Sequence, residues 1–154
     1  TKKVVRLSTD IFHGETIAAA AVAAHECGHA IQDKESYTFL KIRSAIYPVV
    51  NVATSISYYI ILLGFLMQAL QLVYLGIALT CCGLLFQVVT LPVEFDASRR
   101  ALEKLQDYKI VDSSEFAGAK EVLTAAALTY VAGVLASMLQ IFRLILATKD
   151  REDR

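Results

Sequence analysis

The sequence predicts a mainly α-helical integral membrane protein, on three observations. Hydrophobic residues make up 56 % of the 154, above the roughly 45–50 % usual in soluble domains. The excess is gathered into runs: Ala45 to Leu91 holds 47 residues without one Lys, Arg, Asp, Glu or His, enough for two membrane-spanning helices of about 20 residues each. A further apolar stretch, near Val122 to Leu139 and reaching toward Leu146, is interrupted only at its far end by Arg143, whose long side chain can reach the interface. The predicted order is one short N-terminal β-strand, a helix carrying a histidine pair, a two-span transmembrane hairpin, a second polar helix and a third transmembrane helix. With no repeat, low-complexity tract or linker, residues 1–154 read as a single membrane-embedded domain.

Each element follows from its local sequence. Lys3 to Leu7, KVVRL, is rich in β-branched residues and is followed by Ser8-Thr9-Asp10, the pattern of a strand ending at a turn or cap. Such a strand beside a metal helix could hold a substrate backbone by strand addition, or could simply edge the domain. Gly14 or Thr16 is placed to cap the next helix, Ile17 to Gln32, where Ala18 to Ala21, Ala23 and Ala24 are strong helix formers uninterrupted by Pro. Asp33 to Ser36 ends it. The first span covers about Ile46 to Met67, with Pro48 in its first turn or kinking its start. An uncharged turn at Gln68 to Gln71 is so short that the second span, about Leu72 to Leu91, returns antiparallel. Pro92 closes the hairpin, and an amphipathic helix begins at Glu94 and runs to Leu105. Asp107 to Ser114 reads as a loop, with Ser113 or Ser114 capping the last helix from Glu115.

Charge and cysteine usage exclude some functions. The net charge is zero, so no general attraction to nucleic acid follows. Three cysteines, two of them adjacent in an apolar run, make no disulfide framework and read as small buried thiols in a reducing compartment. Of the fifteen Lys and Arg, eleven fall on the histidine-helix side of the hairpin, including Lys3, Arg6, Lys34, Lys41, Arg99, Arg100 and Lys120. The count includes Lys2 on that side and Arg154 on the other. By the positive-inside bias that side faces the cytoplasm.

The chemistry is concentrated in His25, Glu26 and His29, an H-E-x-x-H spacing. Residues four apart share a helix face, so both imidazoles can reach one metal ion with Glu26 beside it as proton acceptor. The bland alternative is a pair of core histidines with Glu26 as their ion-pair partner. A catalytic zinc ion takes three protein ligands and leaves one position open. The hairpin returns Glu94 and Asp96 to the histidine side. They lie about 200° apart around a helix, so both cannot face one metal. Glu94 is favoured, Asp96 is the alternative, and a third possibility is that both pair with Arg99 and Arg100. His13 precedes His25 by twelve residues, too far to share its helix face, and reads as a local or substrate-side group. With zinc lowering the pKa of water toward about 7, Glu26 would accept the water's proton and pass it to the leaving amine. Arg99, Arg100, Tyr130 and His13 are equal candidates for stabilising the oxyanion.

His13-Gly14, the run AVAAHECGHAIQ, the uncharged hairpin and LPVEFDASRRAL at Leu91 to Leu102 together resemble the YugP-type family of neutral membrane zinc metallopeptidases, over nearly the whole chain. The resemblance implies that His25 and His29 bind one Zn2+ per chain, that Glu26 is catalytic and that the carboxylate after Pro92 completes the site. The order of parts is also similar to HtpX-like and prenyl-protein membrane proteases, which favours Glu94 by analogy. Cys27 stands where a bulkier aliphatic residue is expected. The resemblance also implies an N-terminal membrane segment, which is expected to lie outside a chain that begins at Thr1. The implied setting is a bacterial inner membrane, with the bilayer and a peptide or membrane-protein substrate as partners; no oligomeric state follows. Two other readings compete. In a site-two-type intramembrane protease the motif helix itself spans the bilayer, but Ile17 to Ile31 is short for a span and no Leu-Asp-Gly occurs. A non-enzymatic membrane protein with a structural metal or ion site would need a fourth ligand, which Cys27, off the histidine face, is poorly placed to supply.

Overall fold

The computed structural model describes residues 3–152; Lys2 and Arg154 of the charge count lie outside them. Five helices follow one another: α1 (Thr9–Phe12), α2 (Ile17–Lys34), α3 (Thr38–Leu66), α4 (Leu70–Asp107) and α5 (Glu115–Glu152). Three of them, α3, α4 and α5, are long and apolar enough to cross a membrane. The most apolar windows of these helices are only 11–17 % buried. Their apolar side chains therefore face outward, as in a protein solvated by lipid.

No strand occurs among the described residues, and the expected β-strand at Lys3 to Leu7 is not formed. Every other element is helical, so KVVRL has no edge to pair with, and β-branched composition alone does not hold a lone strand. The stretch runs beside α2, where Lys3 Nζ meets Asp33 Oδ2 at 2.7 Å. Nor does Pro92 separate two helices: α4 runs through it from Leu70 to Asp107. A proline inside a helix costs about 3 kcal/mol. Beyond it, Val93, Ala97, Ala101 and Leu105 recur every fourth residue and are at most 1 % exposed, and that burial outweighs the missing hydrogen bond. Pro48 likewise lies inside α3, well past its first turn.

Contacts divide the chain into two compact units. The first takes residues up to Lys41 together with Leu91–Tyr130. Its core is Ala21, Ala101, Leu105, Ala119 and Leu123, so small side chains bring α2, the last turns of α4 and the first turns of α5 close together. Thr16 caps α2 by accepting the Ala19 amide at 3.1 Å. At α5 Asp112, rather than a serine, does the capping: its Oδ1 accepts from the amides of Ser114 and Glu115, while Glu115 Oε2 accepts from the Asp112 amide. The second unit takes Ile42–Thr90 and the chain from Val131 onward. There Gly76 lies against Ile61 and Ser57 while Thr54 lies beside Gly83, a descending-ascending register that makes α3 and α4 an antiparallel hairpin. Val73, Ile77 and Ile141 form its core.

Candidate metal centre

The site belongs to the first unit and is built where α2 crosses α4. Gly28 is buried at the crossing: a Cβ there would overlap the Ala97 carbonyl and stand 3.1 Å from the Ala97 Cα. The missing side chain lets the two backbones touch. His25 and His29, one turn apart and flanking Gly28, therefore meet the turn of α4 that carries Glu94 and Ser98. Glu94 Oε2 lies 3.2 Å from His25 Nε2 and 3.4 Å from His29 Nε2. The imidazole rings stand edge to face with centroids 4.7 Å apart. The three ligand atoms all lie within 4.8 Å of one another.

These residues fit a zinc ion. Ligand atoms about 2.0–2.1 Å from a tetrahedral zinc sit roughly 3.3 Å from each other, the spacing found from Glu94 to each histidine. Two imidazole nitrogens and one carboxylate oxygen are also the donor set of a catalytic zinc site that keeps a fourth position. The Glu94 side chain is 3 % exposed and those of His25 and His29 15 % and 23 %, so the centre opens on the histidine side. Glu26 is exposed there, and it lines with His29, Ala30 and the Lys3–Arg6 segment a cavity of about 680 Å³.

Outer hydrogen bonds orient both rings. Ser98 Oγ is 3.1 Å from His25 Nδ1, and Gln32 Oε1 is 3.0 Å from His29 Nδ1. Gln32 Nε2 donates to the Val93 carbonyl and to Asp96 Oδ2. Asp96 accepts in turn from Arg99 and from Arg100, and Arg100 also donates to Glu35. His29 is raised above the ordinary histidine pKa, first by its hydrogen bond with Glu94, against the opposing effect of burial.

Among the sequence candidates, the structure brings His25, His29 and Glu94 together. Asp96, Arg99 and Arg100 sit one step outward as an ion-pair network, and Asp96 touches Gln32 instead of the histidine rings. His13 caps the end of α1 and packs its ring against Phe12, outside the ligand cluster. Cys27 is exposed rather than buried, because it projects from the side of α2 opposite the α4 crossing, while Cys81 and Cys82 are half-buried and free. Sequence reasoning missed Gln32, Ser98 and Gly28. Gln32 follows His29 by three residues and Ser98 follows Glu94 by four, the spacings that share a helix face. The signal at Gly28 was a glycine where helix propensity favours alanine by about 1 kcal/mol.

Comparison with known proteins gives the family. Residues 1–149 match the family described as "putative neutral zinc metallopeptidase". The chain is 44 % identical over 153 residues to "Putative membrane protease YugP" of Bacillus subtilis strain 168, covering 99 % of this chain and 68 % of that protein. No solved structure matches. A match over almost the whole chain, and 44 % identity to a relative covered over two thirds of its length, mean that the chain belongs to the family of neutral zinc metallopeptidases.

Proposed function

We propose that this chain is a membrane-anchored zinc metallopeptidase that holds one zinc ion through His25 Nε2, His29 Nε2 and Glu94 Oε2, with Glu26 as general base. The observation that carries the reading is the convergence of those three atoms, with Glu94 Oε2 at 3.2 and 3.4 Å from the two nitrogens. Zinc in such a site supplies Lewis acidity, polarising a peptide carbonyl and acidifying water. Glu26 stands on the open side of the centre, in the cavity that also contains His29. There it takes the proton of the attacking water and delivers it to the leaving amine. The cavity, bordered by Lys3 to Arg6 on one side and by Glu26, His29 and Asp33 of α2 on the other, is where this reading places the substrate. The active site faces the cytoplasm of a bacterial cell, a reading supported by the eleven of fifteen cationic residues on that side of the hairpin.

The test is metal content by elemental analysis beside turnover of unstructured peptides, on the detergent-purified chain. Glu26→Gln is expected to keep about one zinc and lose turnover by a factor on the order of 10² to 10⁴. Glu94→Ala is expected to lose both. A parent chain that retains no zinc in chelator-free buffer, or a Glu26→Gln variant as active as the parent, sinks the reading.

A further inference from the structure

Gln32 is fully buried on α2, three residues after His29, and every polar atom of its amide is engaged. The direction of that amide is not free. The Val93 carbonyl, 2.8 Å from it, can only accept a hydrogen bond, and so can the Asp96 carboxylate at 2.9 Å, which Arg99 and Arg100 hold ionised and in place. Both therefore face the amide nitrogen, and the amide oxygen is the atom left facing His29. An amide oxygen cannot donate, so the His29 ring must carry a hydrogen on Nδ1, 3.0 Å away. A neutral imidazole protonated at Nδ1 keeps its lone pair on Nε2, the nitrogen beside Glu94. His25 has no such constraint, because the hydroxyl of Ser98 can turn to donate or accept.

We infer that Gln32, clamped by the Val93 carbonyl and Asp96, is a positioning residue that fixes the ring and tautomer of His29 for metal binding, and that Asp96 acts on the metal only through Gln32. The inference rests on the metallopeptidase reading above. It also gives Asp96 a place, as the second acceptor beside the Val93 carbonyl that makes turning the Gln32 amide over unfavourable.

The experiment is zinc affinity by competition with a chromophoric chelator, on the full chain in detergent, for the parent, Gln32→Leu, Asp96→Asn and the double variant. Gln32→Leu is expected to bind zinc about 10–100-fold more weakly with unchanged helical content. Asp96→Asn should lose less, and the double variant should be no weaker than Gln32→Leu alone. Long-range 15N–1H correlation spectra of the zinc-loaded parent, labelled in histidine, should show His29 with a hydrogen-bonded proton on Nδ1, which decides the matter even where a variant does not fold. Zinc held as tightly by Gln32→Leu as by the parent, losses that add in the double variant, or a proton on His29 Nε2 would each overturn the inference while leaving the zinc site standing. A parent that binds no zinc removes both.

Discussion

The two units satisfy their polar groups in opposite ways. In the second unit the hydroxyls of Thr54, Ser55 and Thr80 donate to carbonyls one turn back on their own helices, at 2.7–2.9 Å. Each is complete within one helix, and these bonds do not depend on how the helices meet. The first unit works between helices: His25 reaches Ser98 and Glu94, and His29 continues through Gln32 and Asp96 to Arg100 and Glu35. A group satisfied within its helix tolerates a shift in packing. A chain of groups satisfied across a crossing does not, and the centre proposed to hold a metal through two nitrogens and an oxygen is built from the second kind.

The strongest way to break this contrast is a single methyl group placed in each unit. Gly28→Ala puts a Cβ into the Ala97 backbone, which cannot yield as a flexible side chain would, so α2 and α4 must separate. Overpacking of this kind costs about 1–3 kcal/mol, and the displaced ligands should lose zinc as completely as Glu94→Ala. Gly133→Ala, in the second unit, meets nothing closer than Gln87 Oε1 at 3.9 Å. It should leave zinc unchanged and raise stability by up to about 1 kcal/mol through helix propensity. Zinc content and thermal unfolding of both variants give the answer, and equal zinc retention would mean that the crossing does not set the site.

The same division explains what could be read from the sequence. The helical class, the spans and the pairing of His25 with His29 follow from periodicity and composition, which are properties of one segment at a time. Glu94 was reachable because a short uncharged turn forces the hairpin to return. KVVRL misled because β propensity expresses a partner that this chain does not supply. Pro92 misled because the burial of Val93, Ala97, Ala101 and Leu105, which outweighs it, is visible only once α2 is packed on α4. Gln32, Ser98 and Gly28 gain their meaning from which helix crosses which, and no single segment carries that information.

A change of pH tests the interhelical chain next. In the metal-free chain the hydrogen bond with Glu94 raises the pKa of His29. A group whose folded pKa is raised stabilises the fold fully below its unfolded value, and that contribution is lost as pH rises through the folded value. The metal-free chain should therefore gain stability from His29 on acidification. Zinc competes with the same proton, so its affinity should fall as pH drops through the raised value, by about tenfold per pH unit for each proton displaced. Opposite pH slopes for the unfolding of metal-free and zinc-loaded protein are the expected result. Parallel slopes would show that His29 is not where proton and metal compete.

The smallest effect is the most informative about the second unit. One of its serine hydroxyls does reach another helix: Ser137 on α5 and Gln87 on α4 exchange hydrogen bonds of 2.8 and 3.0 Å. Ser137→Ala removes both, at a cost expected near 0.6 kcal/mol and below about 1.7, the range for side-chain hydrogen bonds between membrane helices. Thr54→Val removes only a bond to its own helix, replaces the hydroxyl by a methyl of similar size, and should change stability by no more than a few tenths of a kcal/mol, since the freed Val50 carbonyl keeps its place in the helix. Neither should alter zinc content. If Ser137→Ala does release zinc, the units are energetically coupled through α4 or α5, and the independence drawn from their bonding patterns fails at that helix. If it costs stability alone, the polar pair is a local clasp in an otherwise lipid-facing unit, and the proposed metal centre is independent of it.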